Sequence, residues 1–206
     1  MRPDQTKAHW DAAYETRPPE RQSWYQPAPS TSLALIQATG LQAQEPLIDV
    51  GAGASSLVGS LLNRGFRDVT VLDVSSTALD ASRESLGPLA RRVNWLCEDV
   101  RRFQPDRSYT LWHDRALFHF LTDVEDRNRY MRALRAGLKK GGYFIVATFA
   151  VGGPTRCSGL DIVQYDDRKM LATLGPGFEL ERSLREPHKT PAGGQQLFSW
   201  FVLRRA

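Results

Sequence analysis

The sequence predicts an α/β protein built on an open, doubly wound sheet, and three features carry that prediction. Short apolar runs alternate with amphipathic helical stretches, which implies parallel strands joined by right-handed crossovers with helices on both faces. The first run delivers the chain into a glycine-bearing turn that opens a helix. The last two runs are joined by a connection carrying Pro187, Pro191, Gly193 and Gly194, where no helix fits, so they form an antiparallel hairpin. Five alternating strands and this terminal pair give a seven-stranded, mostly parallel sheet.

The elements follow in order. Asp4–Arg17 places Trp10, Ala13 and Tyr14 on one side of a helix, and Ser30–Thr39, with Leu33 and Ile36, forms a second after a proline-rich turn. Between them lies the aromatic loop Ser23-Trp24-Tyr25-Gln26-Pro27. Pro46–Val50, Val69–Val74, Val93–Glu98, Tyr109–His113 and Tyr143–Phe149 are short, apolar and rich in β-branched or aromatic residues, as strands are. Ser55 or Ser56 caps a helix carrying Leu57, Val58, Leu61 and Leu62 on one face and closing at Gly65. Ser75 or Ser76 caps the next, with Leu79 and Leu86, before Gly87-Pro88. Asp123 opens a longer helix with Tyr130, Met131, Leu134 and Leu138 at helical spacing, ending at Gly141-Gly142. Phe178–Arg185 and Leu197–Leu203 are the terminal strands.

Composition narrows the class. A chain of 206 residues without repeats or low-complexity tracts suits one domain. With 41% hydrophobic and 24% charged residues it is not globally disordered, and two cysteines make no disulfide scaffold. The net charge is +4, but only five of the 27 basic residues are lysine, and the arginines scatter without a run longer than a pair. Nucleic acid would demand a basic stripe, so no nucleic-acid partner is expected. The longest apolar stretch, Tyr143–Val151, falls short of the roughly 20 residues that cross a bilayer, so no membrane association is expected either. The polar start, Met1 to Lys7, lacks the apolar region of a signal peptide, and the expected location is the cytoplasm.

The chemical centre is Leu47-Ile48-Asp49-Val50-Gly51-Ala52-Gly53-Ala54. A dinucleotide site wants Gly-x-Gly-x-x-Gly, with pyrophosphate at the helix start, and here Ser56 stands at the third glycine position. Asp49 precedes the first glycine by two residues. Its carboxylate repels a pyrophosphate and pairs with an ammonium, which favours a cationic amino-acid ligand such as S-adenosylmethionine over NAD. Asp73, twenty residues after Gly53, is placed to accept from ribose hydroxyls or to cap the following helix. Asp99 suits an adenine amino group, with Val100 against the ring, or is a turn aspartate. Asp114 ends the fourth strand, where an open α/β sheet forms its ligand crevice.

Asp49-x-Gly51-x-Gly53, with Asp73, Asp99 and the terminal hairpin, resembles the class I S-adenosylmethionine-dependent methyltransferases over nearly the whole chain. Ala54 departs from the further glycine that many members carry. His9-Trp10-Asp11-x-x-Tyr14 and Ser23-Trp24-Tyr25 resemble the N-terminal lid of small bacterial methyltransferases, and of protein-lysine methyltransferases related to those acting on citrate synthase and elongation factor. Trp112-x-Asp114-Arg115 resembles the Trp-Asp-Arg run of thiopurine S-methyltransferases, with His113 inserted. The resemblance implies a single Rossmann-like domain: a helical lid over 1–45, a cofactor core over 46–150, and a substrate loop with the hairpin over 151–206. It implies S-adenosylmethionine as cofactor and S-adenosylhomocysteine as product. Asp49, Gly51 and Gly53 would hold the methionine portion, Asp73 the ribose, and Asp99 with Val100 the adenine, with Ala52, Val74 and Asp114 lining the same site. Trp10, Tyr14 and Trp24 would close over it, since π faces attract a sulfonium, or else pack the N-terminal helix on the core.

Methyl transfer is an in-line displacement, in which alignment is worth up to about 7–11 kcal/mol. A base is required only when the acceptor arrives protonated. Asp114 and His119 are the catalytic candidates; His119 is either a base or a core histidine bonded to backbone. His113 faces opposite to Asp114 and reads as structural. For substrate, Arg115 binds an anion or pairs with an acid, and His119, Arg156 and Cys157 complete the candidates, the last two in Thr155–Gly159 after the fifth strand. Cys97 reads as inert core. No second cysteine or histidine stands near Cys157 at zinc-ligand spacing, so no metal is expected. The expected reaction is methyl transfer to a small nucleophile, a thiol or other chalcogen compound. The alternatives are protein-lysine methylation, a non-catalytic cofactor-binding protein and an NAD-dependent oxidoreductase.

Overall fold

The computed structural model describes residues 3–206, with side chains described from Gln5 onward. Helix α1 (Pro3–Thr16), a 3₁₀ turn (Pro19–Arg21) and α2 (Ser30–Ala38) precede the sheet. Then come β1 (Leu47–Val50), α3 (Leu57–Asn63), β2 (Val69–Asp73), α4 (Ser76–Leu86), β3 (Val93–Cys97) and β4 (Tyr109–Arg115). They are followed by α5 (Val124–Gly137), β5 (Leu138–Phe149), β6 (Arg156–Cys157), β7 (Leu160–Asp161), α6 (Asp167–Leu174), β8 (Phe178–Lys189) and β9 (Gln195–Arg205).

The strand order is β3-β2-β1-β4-β5-β9-β8, with β1 to β5 parallel and β9 antiparallel to both β5 and β8. β6 and β7 form a separate two-stranded ribbon. Strand alternation divides the core into two layers. On one face Trp112, Phe144 and Phe201 pack with Tyr130 and Leu134 of α5 and Met170 of α6. On the other Leu111, Ile145 and Trp200 pack with Leu33 and Ile36 of α2, Leu57 and Leu61 of α3, and Leu79 of α4. Each such fully buried side chain is worth about 1.5–3 kcal/mol, so the central strands anchor the fold.

Two serines and one aspartate cap as the sequence implies. Ser75 accepts from the Ala78 amide and Asp123 from the Glu125 amide, while at α3 the N-cap Ser56 makes no side-chain bond and Ser55, one residue earlier, accepts from the Leu57 amide. The end of α5 differs from the expectation. The helix stops at Gly137, and Leu138 already pairs with Tyr109 as the first residue of β5. The chain then bulges at Gly141, whose φ is +72°, and at Gly142, where a Cβ would lie 2.9 Å from two backbone carbonyls. That pair of glycines is thus a kink within a strand, not a helix stop. Helix α6 and the β6–β7 ribbon were not anticipated. The hairpin strands run further into their connection than expected, leaving a turn closed by Thr190 and Gly194. Pro187 sits inside β8, tolerated because β8 is an outer edge of the sheet.

Candidate functional site

A cavity of about 190 Å³ opens at the carboxyl ends of the parallel strands. Its floor is the turn after β1. Gly51 and Gly53 hold positive φ angles of +67° and +55°, which side chains disfavour. A Cβ on Gly51 would collide with Leu117, and one on Gly53 with the Tyr14 hydroxyl. The Gly51 amide donates to the Leu72 carbonyl over 2.8 Å, and the Gly53 amide to Asp73 Oδ2 over 2.7 Å.

Asp49 near the end of β1, Asp73 at the end of β2 and Asp99 two residues after β3 all border the cavity. Asp49 Oδ1 accepts from His113 Nδ1 over 2.7 Å, and His113 Nε2 lies 3.1 Å from Ser32 Oγ. Asp73 Oδ1 also accepts from the Ser75 amide over 2.8 Å. Burial, reinforced by the charges of Asp49 and Asp11, pushes the Asp73 carboxyl up to about 6. Asp99 is gripped by Arg101, whose Nη2 lies 2.5 Å from Oδ2, while Nη1 reaches Asp126 at 2.8 Å and Nη2 reaches Thr6 at 2.9 Å. These contacts hold the Arg101 guanidinium firmly protonated.

Helix α1 forms the roof. Asp11 Oδ1 accepts from Ser75 Oγ at 2.8 Å and from the Thr77 amide at 3.3 Å, so a side chain of α1 satisfies a free amide in the first turn of α4. Burial raises the Asp11 carboxyl, but the donations from Lys7, Ser75 and Thr77 outweigh it and hold the group below its ordinary range. Trp10 meets Trp24 and Phe120 edge to face at 5.8 and 5.0 Å, and Tyr14 meets Trp24 at 6.1 Å.

Several expected site residues border this cavity: Trp10, Tyr14, Trp24, Gly51, Ala52, Val74, Val100, Arg115 and Cys157 join the three aspartates. Others do not. Gly53 is covered by the Tyr14 hydroxyl and reaches the site only through the amide that orients Asp73. Asp114 faces the α5 layer and is fully buried, accepting from the Tyr130 hydroxyl at 2.7 Å and the Leu117 and Phe118 amides at 3.1 and 3.2 Å. Burial raises it to about 6, but it does not reach the cavity, so neither its catalytic nor its cofactor role holds. His119 is likewise fully buried, its Nδ1 accepting from the Phe149 amide at 3.2 Å and its ring centroid 4.6 Å from that of Phe149. Burial and then the Arg115 charge push it down to about 3; it is a neutral core histidine, not a base or a substrate contact. Arg156 is exposed, paired with Asp161 at 3.0 Å, because strand alternation turns it away from the face that Cys157 presents to the cavity. Burial pushes the Cys157 thiol up to about 11, which keeps it protonated. Cys97 is exposed rather than core.

Sequence reasoning missed the roles of His113 and Arg101. His113 became a partner of Asp49 only through the β1–β4 pairing that sets the two directly opposite. Arg101 stands two residues after Asp99, a short spacing that allows the clamp. Ala116, the residue after β4, holds a φ of +71° and borders the cavity, a strained backbone that no sequence pattern announces. Among the described residues no group of histidine, cysteine and acidic side chains is arranged to hold a metal, and no helix is long and apolar enough to cross a membrane.

The donor set suits a ligand with a cationic end and hydroxyls. Asp49 and Asp73 border the cavity near the turn, and Arg101, beside Asp99, is neutralised by Asp99 and Asp126. Asp49 and Asp73 would meet a pyrophosphate at the turn with like charge. The strand order is that of the Rossmann-like fold of class I S-adenosylmethionine-dependent methyltransferases. Residues 47–142 match the family model described as a methyltransferase domain. EEF1A lysine methyltransferase 2 of Danio rerio is 23% identical over 198 residues, covering 89% of this chain and 79% of that protein. The human EEF1A lysine methyltransferase 2 is matched over 80% of its length, whereas N-terminal Xaa-Pro-Lys N-methyltransferase 1 of Danio rerio, 34% identical, is matched over 45% of its own. A methyltransferase structure from Anabaena variabilis ATCC 29413 superposes with a TM-score of 0.76 at 18% identity, covering 99% of this chain and 95% of that one. The 1,6-didemethyltoxoflavin-N1-methyltransferase of Burkholderia thailandensis, solved with S-adenosylhomocysteine, gives 0.74 at 18% identity, covering 100% and 92%.

Proposed function

We propose that the chain methylates a small nucleophile that enters the cavity with its lone pair already free, a thiolate or related chalcogen compound. The observation that carries this reading is the state of the titratable groups near β4. His119 and Asp114 lie outside the cavity, and His113 is engaged by both Asp49 and Ser32. Among the described residues of β4 and the turn that follows it, no unengaged base borders the cavity to deprotonate an ammonium or a hydroxyl, and a thiolate requires none. S-adenosylmethionine supplies the methyl group on a sulfonium when bound. Asp49 takes its ammonium beside Gly51 and Ala52, Asp73 the ribose, and Asp99, Val100 and Val74 the adenine, with Trp10, Tyr14 and Trp24 excluding water above. Residues 1–45 act as the lid, 46–150 as the cofactor core, and 151–206 carry the acceptor loop and hairpin.

Calorimetry with S-adenosylmethionine and NADH tests the first half: the former binds and the latter does not. Asp49→Ala weakens S-adenosylmethionine binding by about 10- to 100-fold, the range of one charged hydrogen bond; unchanged affinity overturns the assignment. A labelled-methyl screen over thiols, amines, carboxylates and cell lysate tests the second half, and label is expected in a small-molecule thioether. The similarity to a relative named as a lysine methyltransferase over most of this chain favours a protein acceptor as the second reading. Label confined to the protein fraction establishes that reading instead.

A further inference from the structure

Arg115 carries an unused recognition edge. Its guanidinium lies over the Phe198 ring, 5.1 Å from the centroid, and Nη1 donates to the Trp24 carbonyl at 2.9 Å. These two contacts fix the plane. Nε and Nη2, the two N–H groups that point the same way along one edge, are buried without a partner in the protein. The nearest acids are taken: Glu186 accepts from Trp200 at 2.7 Å and from Thr31 at 2.6 Å, and Asp49 accepts from His113. Burial accordingly pulls Arg115 down to about 10, against the opposing pull of Glu186 and Asp49.

A planar edge of two parallel N–H groups matches the two oxygens of a carboxylate. Its place in the site says whose carboxylate. Arg115 ends β4 and lies over Phe198 of β9, apart from Asp73 and Asp99 on the β2 and β3 side of the sheet, and of the three cofactor-site aspartates it faces Asp49 alone. Cys157 and Leu160 of the β6–β7 ribbon, together with Trp24, border the same cavity and supply apolar walls. A single cation already facing Glu186 and Asp49 favours one negative charge over the two of a phosphate. Resting on the cofactor placement above, we propose that the methyl acceptor bears a carboxylate on an apolar body, and that Arg115 grips it through Nε and Nη2.

The test titrates benzoate, phenyl phosphate and benzylamine into protein saturated with S-adenosylhomocysteine, reading the Arg115 Nε–Hε resonance by NMR and affinity by calorimetry. Benzoate is expected to bind saturably and move that resonance, ahead of the other two. Arg115→Lys and Arg115→Leu are each expected to weaken benzoate by about tenfold or more while S-adenosylhomocysteine affinity stays within about threefold, which also shows both variants folded. Three results overturn the proposal: benzoate leaving the Arg115 resonance in place, phenyl phosphate binding more tightly than benzoate, or both variants losing S-adenosylhomocysteine but not benzoate. The last assigns the edge to the cofactor's own carboxylate. Calorimetry of S-adenosylhomocysteine reads the cofactor placement and the Arg115 resonance reads the grip, so the two fail separately.

Discussion

His119 and Arg115 stand four residues apart, and burial treats them differently: one is neutralised, the other stays charged with donors to spare. The imidazole has a consequence for acid stability. Unfolded, it takes a proton below about 6.5; folded, it stays neutral to about 3. The unfolded chain therefore binds the extra proton between those values, and folded stability falls with pH by up to about 1.4 kcal/mol per unit. Asp73 and Asp114 act oppositely, because their folded carboxyls take protons near 6, ahead of the unfolded chain, and relieve their burial as pH falls towards 4. His119→Gln removes only the first effect, so denaturation between pH 6 and pH 4 should show it losing less stability than the unaltered protein; parallel curves would refute the assignment. At Ala116 the left-handed backbone costs roughly 1–2 kcal/mol, more than the roughly 0.4–1 kcal/mol that a glycine adds to the freedom of the unfolded chain, so Ala116→Gly should raise the melting temperature, and a calorimetric midpoint at or below that of the unaltered protein would refute the strain. Neither residue's state is written locally: the sequence shows a histidine among apolar residues, and only packing decides whether water reaches it.

Among the elements, α1 is held to the rest of the chain chiefly by side chains. Asp11 on the first turn of α4, Lys7 on Ser76, Arg101 on Thr6 and Gln22 on the Ala13 carbonyl are among the polar ties, and Trp10 and Tyr14 provide apolar ones. Asp11→Ala should cost the α1–α4 junction about 1 kcal/mol, the scale of a lost helix cap. Amide exchange over 3–16 should then rise severalfold and S-adenosylmethionine should dissociate faster, while exchange in β4 and β5 stays unchanged. Protection in 3–16 equal to that of the unaltered protein would show that the aromatic contacts alone seat the helix. The sequence made α1 visible through the spacing of Trp10 and Tyr14, and α4 through its serine cap. It hid the boundary between α5 and β5, because Leu138 fits a helical stripe and a strand equally, and pairing with Tyr109 settles the choice. It hid α6 too, whose eight residues carry only Met170 and Leu174 into the core.

For the whole molecule, alternation of strand and helix announced the parallel sheet and the helix-free connection announced the terminal hairpin, while the order of the strands is set by packing and appears only in the structure. The acidic residues of the turn region were legible too, since strand ends set their positions. What the sequence withheld was which side chains the packed layers would consume, and there Asp114 went to Tyr130 and Arg156 to Asp161. Ligand linkage tests the assembled site: S-adenosylmethionine at about a hundredfold over its Kd should add about 2.7 kcal/mol, a rise of roughly 5–10 °C in melting temperature. At the same concentration Asp49→Ala, with its affinity 10- to 100-fold weaker, should keep only about 0.4–1.4 kcal/mol of that gain. A final consequence lies at the outer border of β8, where Pro187 has no amide hydrogen to offer and Glu181, Arg182 and Arg185 stand among partly or fully exposed neighbours. A foreign strand laid along that margin meets a missing rung and a row of charges, so the hairpin that completes the sheet also guards it against templated aggregation.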